Sequence, residues 1–182
     1  EDINHDGVIN KYDIVYLGNT QPLVTGGGGV TVKYKQVTLS AFFHGRFGQS
    51  IVNMARMNNE SMYGSSNQSK AVLRRWKNEG DNTDIPRALY NEGRNYLGSD
   101  RFVEKASFVR LKSMTLSYGF PRKICNRFNV NSLSVFVTGY NLFTWTNYTG
   151  QDPEVSVKDN LAIDTATTPV AKRFSFGLNM SF

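Results

Sequence analysis

The first thirteen residues hold the clearest set of side chains able to do chemistry. They read E-D-I-N-H-D-G-V-I-N-K-Y-D. Asp2, Asn4, Asp6, Gly7, Asn10 and Asp13 fall on positions 1, 3, 5, 6, 9 and 12 of a calcium-binding loop. Such a loop needs a tight turn at its sixth position, here Gly7, so that hard oxygen ligands converge on one cation. The backbone carbonyl of Val8 would supply position 7. The twelfth residue is Asp13 rather than the longer Glu, which shortens the reach for bidentate closure. The expectation is a structural Ca2+ site made by Asp2, Asn4, Asp6, Val8, Asn10 and Asp13. The competing reading is a polar turn whose Asx side chains bond their own backbone.

Other candidate chemistry dissolves on inspection. His5 and His44 lie in unrelated segments, and no H-E-x-x-H or G-x-S-x-G pattern occurs. The single cysteine, Cys125, excludes an internal disulfide framework and has no histidine near it in sequence. Gly26 to Gly29 would need a helix and a Lys-Ser/Thr pair behind it to cradle phosphate. Instead Val30-Thr31-Val32-Lys33-Tyr34 follows and alternates as a strand, so the glycines read as a flexible lead into it. Catalysis is not expected. The net charge of +6 is spread through polar stretches without a dense basic patch, so nucleic acid is not an expected partner.

The elements that must position any site are strands. Hydrophobic content is 40% and mean hydropathy −0.40, and no apolar run approaches the ~20 residues of a spanning helix. Arg173 to Phe182 reads R-F-S-F-G-L-N-M-S-F. Its period of two puts Phe174, Phe176, Leu178, Met180 and Phe182 on one face. Four earlier stretches read as strands: Val30–Tyr34, Val37–Phe43, Phe108–Phe120 and Ser132–Trp145. In the third, Met114, Leu116, Tyr118 and Phe120 share a face, and Pro121 ends it. In the fourth, Phe136 and Leu142 blur an otherwise alternating pattern. Ala71 to Lys77 suggests a helical turn or two inside a long polar connection.

The connections alternate. Those near residues 35 and 126 are short; 53–103 and 147–172 are long and polar. Short turns on one side and large loops on the other are the asymmetry of outer-membrane barrels, and a soluble sandwich has no reason for it. The fold expected is all-β: antiparallel strands of a transmembrane barrel, with 1–25, 53–103 and 147–172 as extracellular loops. Five such strands cannot close a barrel, because open edges are not tolerated in lipid, so more strands are expected upstream. The chain starts at Glu1 with no initiator Met or signal peptide, which fits the expectation of a fragment. The alternative is a secreted calcium-dependent carbohydrate-binding β-sandwich, whose apolar faces would be buried against a second sheet.

Several stretches carry a resemblance. They are D-I-N-H-D-G-V-I-N-K-Y-D with Tyr16-Leu17-Gly18-Asn19, A-F-F-H-G-R-F-G-Q-S-I-V-N (41–53) and W-K-N-E-G-D-N-T-D-I-P-R-A (76–88). S-D-R-F-V-E-K-A-S-F-V-R-L-K-S-M-T-L-S-Y (99–118), G-Y-N-L-F-T-W-T-N-Y-T-G-Q-D-P-E-V (139–155) and the terminal strand complete the set. In this order they resemble the C-terminal end of SusC/RagA-family TonB-dependent outer-membrane transporters of Bacteroidetes. The resemblance implies a 22-stranded transmembrane β-barrel, of which these are the last strands. It implies import of glycans or peptides, energised through TonB, with a SusD-like lipoprotein as partner, in the outer membrane of a Gram-negative cell. It also implies that the plug domain and the TonB-contacting segment lie upstream of this stretch. The calcium loop separately resembles half of a dockerin repeat, in which Asp at the twelfth position is usual.

On that reading Phe174, Phe176, Leu178, Met180 and Phe182 face lipid. Tyr140, Phe143, Trp145 and Tyr148 cluster where the fourth strand meets its loop. They read as an interfacial aromatic girdle or as a platform for sugar rings. Tyr148, with Trp76 and Arg74 of the longer loop, is a candidate ligand contact.

Overall fold

The computed structural model describes residues 3–8, 10–91, 99–158 and 160–182. In chain order its strands are β1 (Val24–Tyr34), β2 (Val37–Phe47), β3 (Ser50–Asn53), β4 (Val103–Lys105), β5 (Phe108–Gly119), β6 (Ser132–Thr146), β7 (Val157–Lys158), β8 (Leu161–Asp164) and β9 (Arg173–Ser181). The five long strands form one sheet in the order β1-β2-β5-β6-β9, every pair antiparallel. The four short ones make a second sheet, β4-β3-β8-β7.

Connections on one side of the large sheet are tight. Lys35 and Gln36 turn β1 into β2, with Lys35 at a φ of 52° and Tyr34 opposite Val37. Helix α2 (Arg122–Arg127) joins β5 to β6 and buries Cys125, whose thiol donates to the Phe120 carbonyl at 3.6 Å. The other side carries both long connections.

Register sorts the two faces of the large sheet. Residues directly opposite one another share a face. One such row runs Val32, Leu39, Leu116, Val137 and Phe176; the next runs Tyr34, Val37, Tyr118, Val135 and Leu178. The reverse face carries Thr31, Ser40, Thr115, Thr138 and Ser175 in one row. Thr31 and Ser40 hydroxyls are 3.0 Å apart, and those of Thr115 and Thr138 are 2.9 Å apart. The sheet is therefore apolar on one side and hydroxyl-lined on the other. Phe136, ambiguous in sequence, lies on the polar face opposite Gly177.

A bulge keeps this sorting intact to the far end. Ser113 is opposite Phe42, yet Leu111 is already opposite Phe43, so Lys112 is the extra residue of β5. Across β6, Tyr140 is opposite Ser113 and Phe143 opposite Leu111, with Asn141 at a φ of 53° between. An inserted residue flips the alternation. Leu111 and Val109 therefore stay on the apolar face, and Arg110 and Phe108 turn to the polar one.

Two expectations need correction. The glycine run is not a flexible lead: Gly26 to Gly29 lie inside β1, opposite Gly45, His44, Phe43 and Phe42. The long connections, read as polar loops, also hold more ordered pieces than the helical turn or two expected from Ala71 to Lys77. Helix α1 (Met54–Asn59) and a 3-10 turn at Lys70–Arg74 lie in the first. Strand β3 at its start pairs in parallel with β8 of the second, Val52 opposite Ile163 and Asn53 opposite Asp164. Sequence separation hid this pairing, because neither segment alternates long enough to announce a strand.

Candidate functional site

The two long connections pack into a cap at one end of the sheet. Ile51, Ala106, Tyr148 and Ala162 form its buried centre. Backbone polar groups brought inside need partners. Gln49, only 3% exposed, supplies two: its amide donates to the carbonyls of Ala106 and Pro153, each at 3.0 Å. A second small core, Met62, Val72 and Ile85, holds the outer part of the first connection.

Three polar clusters surround this centre. In the first, Tyr148 donates its hydroxyl to Asp164 at 2.6 Å. Burial, then the Asp164 carboxylate, push the phenol far above its ordinary pKa, so it stays a donor at any physiological pH. In the second, Glu104 accepts from the Thr149 N–H at 3.0 Å, from its hydroxyl at 2.8 Å, and from Arg56 at 3.3 Å. Burial pulls the Glu104 pKa upward; the bonds from Thr149, Arg56 and Asn53 outweigh it and hold the carboxyl low. In the third, Arg110 is 3% exposed and ties the sheet to the cap. Its guanidinium donates to Asp152, to Glu154 at 2.7 Å and to Thr144 at 2.9 Å. Lys112, carried inward by the bulge, reaches Glu154 at 2.8 Å.

Two clefts flank these clusters. One, of about 570 Å3, is lined by Asn53, Arg56, Glu60, Arg74, Thr149 and Asp164 among others. The other, of about 640 Å3, lies between the large sheet and the cap, with Arg46, Lys112, Glu154 and Val170 in its lining.

The residues singled out from sequence separate. Arg74 is exposed and lines the first cleft; Trp76 is half-buried, its backbone N–H donating to the Ile85 carbonyl at 2.9 Å. Tyr148 is not presented to a ligand: its ring fills the cap and its hydroxyl is taken. Phe143 and Trp145 lie on the apolar face, ring centroids 6.1 Å apart and exposed, whereas Tyr140 lies on the polar face beneath the Arg173 guanidinium. Phe174, Phe176, Leu178, Met180 and Phe182 are all exposed. The Arg110 cluster was missed, because its carboxylate partners stand more than forty residues away in sequence.

At the N-terminus, Asp2 lies outside the described residues. Gly7 takes a φ of +84°, a left-handed turn that suits glycine, at the sixth loop position. Asp13 accepts from the N–H groups of Ile3 at 2.8 Å and Asn10 at 2.7 Å. The Asn10 bond first, then those from Ile3 and Asn4, hold its carboxyl below the usual range. Asp6 accepts from Val8 at 2.8 Å, and Asn10 accepts from Tyr12 at 2.8 Å. The geometry is an Asx-held turn, in which one oxygen of Asp13 already accepts from two backbone N–H groups. Among the described residues no three His, Cys, Asp or Glu side chains converge, so a cation here would depend on amide and carbonyl oxygens and on Asp2.

No family model matches the chain. Two curated TonB-dependent receptors of Formosa agariphila are 29% and 30% identical to it, each over 100% of this chain. The chain spans only 18% and 19% of their lengths. Two solved structures of the RagAB peptide transporter, one of them in its open-open state, are 27% identical over 90% of this chain. Their TM-scores are 0.77 and 0.74, and the match covers 18% and 17% of those chains.

Proposed function

Since this chain belongs to the TonB-dependent receptors of the SusC/RagA kind, we propose that its large sheet is a wall segment of an outer-membrane importer. The apolar face meets lipid, and the hydroxyl-lined face meets the lumen of a closed, 22-stranded barrel. The cap of paired loops lies on the cell exterior. The whole receptor imports glycans or peptides, draws energy through TonB and works with a SusD-like lipoprotein. RagAB, a structural relative, is a peptide importer, which supports the peptide arm of this reading.

The observation that carries the proposal is the uncovered apolar face. Leu116, Val135, Phe176 and Leu178 are exposed in one continuous patch, and no described element packs over it. A sandwich would bury that face; the small sheet joins the cap instead, so the carbohydrate-binding alternative is not favoured. The patch also has the right height. Tyr34 and Tyr118 mark one rim, Phe143 and Trp145 the other. From Val135, opposite Tyr118, to Trp145 is about 33 Å along β6, or roughly 25 Å along the membrane normal at barrel tilt. That is the thickness of an outer-membrane apolar band with aromatic girdles.

The N-terminal loop is proposed as a structural Ca2+ site, formed by Asn4, Asp6, Val8, Asn10 and Asp13 with Asp2. Its acidic and amide oxygens suit a hard cation, and Gly7 supplies the turn. Phe182 is proposed to complete the lipid-facing row of the last strand.

Single cysteines in the full-length receptor test the wall assignment. A cysteine at Phe176 should react with a lipid-soluble maleimide and resist a charged one. A cysteine at Ser175 should do the reverse. Equal labelling of both by the charged reagent would overturn the lipid-facing assignment.

A further inference from the structure

Every charged residue on the five wall strands is basic. Lys33, Arg46, Arg110, Lys112 and Arg173 lie on them, and none of the chain's 15 acidic residues does. Register places Lys33, Arg46, Arg110 and Arg173 on the polar face, and Lys112 reaches the same side through Glu154. All but Lys33 stand in the half of the wall nearest the cap. Two of these are neutralised there: Arg110 by Asp152 and Glu154, Lys112 by Glu154.

Arg46 and Arg173 have no ion pair among the described residues. Arg173 rests 4.8 Å above the Tyr140 ring, a contact that leaves its donors available. Arg46 lines the cleft of about 640 Å3 between wall and cap, beside Gln21, Thr25, Lys112 and Glu154, whose carboxylate is already held by Arg110 and Lys112. Uncompensated charge of one sign in a cleft with low-dielectric walls concentrates ions of the opposite sign. Rings of Arg and Lys make anion-selective pores by the same means.

We propose that this cleft receives an anionic group of the cargo, a carboxylate or sulfate, with Arg46 as its contact and Arg173 steering it inward. A planar guanidinium grips such an oxyanion through two parallel hydrogen bonds. This inference rests on the import reading above. The oxyanion is the shared chemistry of acidic peptides and acidic oligosaccharides, and the probes distinguish the two sources.

The experiment uses the full-length receptor, purified in detergent, and two pairs of labelled probes. One pair is hexagalacturonate and neutral maltohexaose; the other is a glutamate-containing pentapeptide and its glutamine counterpart. In at least one pair the anionic member should bind about tenfold more tightly at low ionic strength, and added salt should shrink the difference. The Arg46→Gln/Arg173→Gln double variant should lose that advantage and keep its affinity for the neutral member. The responding pair identifies the source. Equal affinities within both pairs, or no binding of any probe, overturn the proposal. So does a preference that survives the double substitution, which would assign these arginines to the rest of the receptor. The import reading fails on a different readout: loss of the heat-modifiable receptor band from the outer-membrane fraction.

Discussion

Phe136 and Gly177 are direct partners across β6 and β9, and the ring occupies the space a side chain at 177 would need. An added Cβ would sit 2.5 Å from Cε1 of Phe136, well inside contact distance. An aromatic laid over a cross-strand glycine shields the bare backbone and pins register. Gly177→Val should therefore misassemble the last strand, with overpacking of about 1–3 kcal/mol. The measurement is the fraction of receptor that migrates as the compact species before boiling. Phe136→Ala combined with Gly177→Val should recover part of it. A normal fraction for Gly177→Val alone would mean that the ring moves aside freely.

The apolar face predicts an asymmetry between neighbours on β9. On the proposed wall reading, Phe174→Arg, opposite Gly139 and near the middle of the Val135–Trp145 span, places a charge toward lipid near mid-membrane, at a cost of roughly 2–4 kcal/mol. Ser175→Arg, one residue on, points to the polar face, where Thr138 is its partner, and should cost far less. Folded yield in outer membranes reads both. Similar losses for the two would contradict the face assignment.

How much of this was legible beforehand follows from the range of each interaction. The five wall strands were readable because a period of two is a local property: Phe174 to Phe182 announces its face within nine residues. The loop asymmetry needed only lengths. Lys112 was not legible as a bulge, since the extra residue shows only once β2 and β6 are aligned on β5. Gly26 to Gly29 lacked any side-chain signal, so only pairing with β2 reveals them as strand. Tyr148 looked open because it follows a strand end. The β3–β8 pairing, between segments more than a hundred residues apart, is what closes over it.

Arg110 should anchor the cap. Arg110→Met removes the buried cation and leaves Asp152 with no ion pair among the described residues. Breaking a buried pair costs at most roughly 3–5 kcal/mol, and here the carboxylates are partly solvated, which lowers the figure. The expected result is faster protease nicking within 147–172, with the barrel band unchanged. Unchanged nicking would show that the Tyr148–Asp164 bond and the apolar centre hold the cap alone.

Acid should loosen the same cap from the carboxylate side. Burial pushes the Asp152 pKa up; the Glu154 N–H, the Arg110 guanidinium and the Val170 N–H together outweigh it, and the carboxyl ends below its ordinary value of 3.8. Asp152 bonds the Val170 N–H at 3.2 Å, so it ties both ends of the second connection together. A group whose pKa is lower folded than unfolded stabilises at pH values above its unfolded pKa. That stabilisation is lost as pH falls through the folded pKa. The contribution should be flat between pH 5 and 8 and fade below about pH 4. Glu104 is held low as well and acts in the same direction, so Asp152→Asn is needed to isolate one group. Hydrogen exchange at Val170 in the full receptor should accelerate on going from pH 6 to pH 3.5, after correction for intrinsic rates. In Asp152→Asn it should already be fast at pH 6 and respond less to acid. An identical acid response in the variant would remove Asp152 from the account.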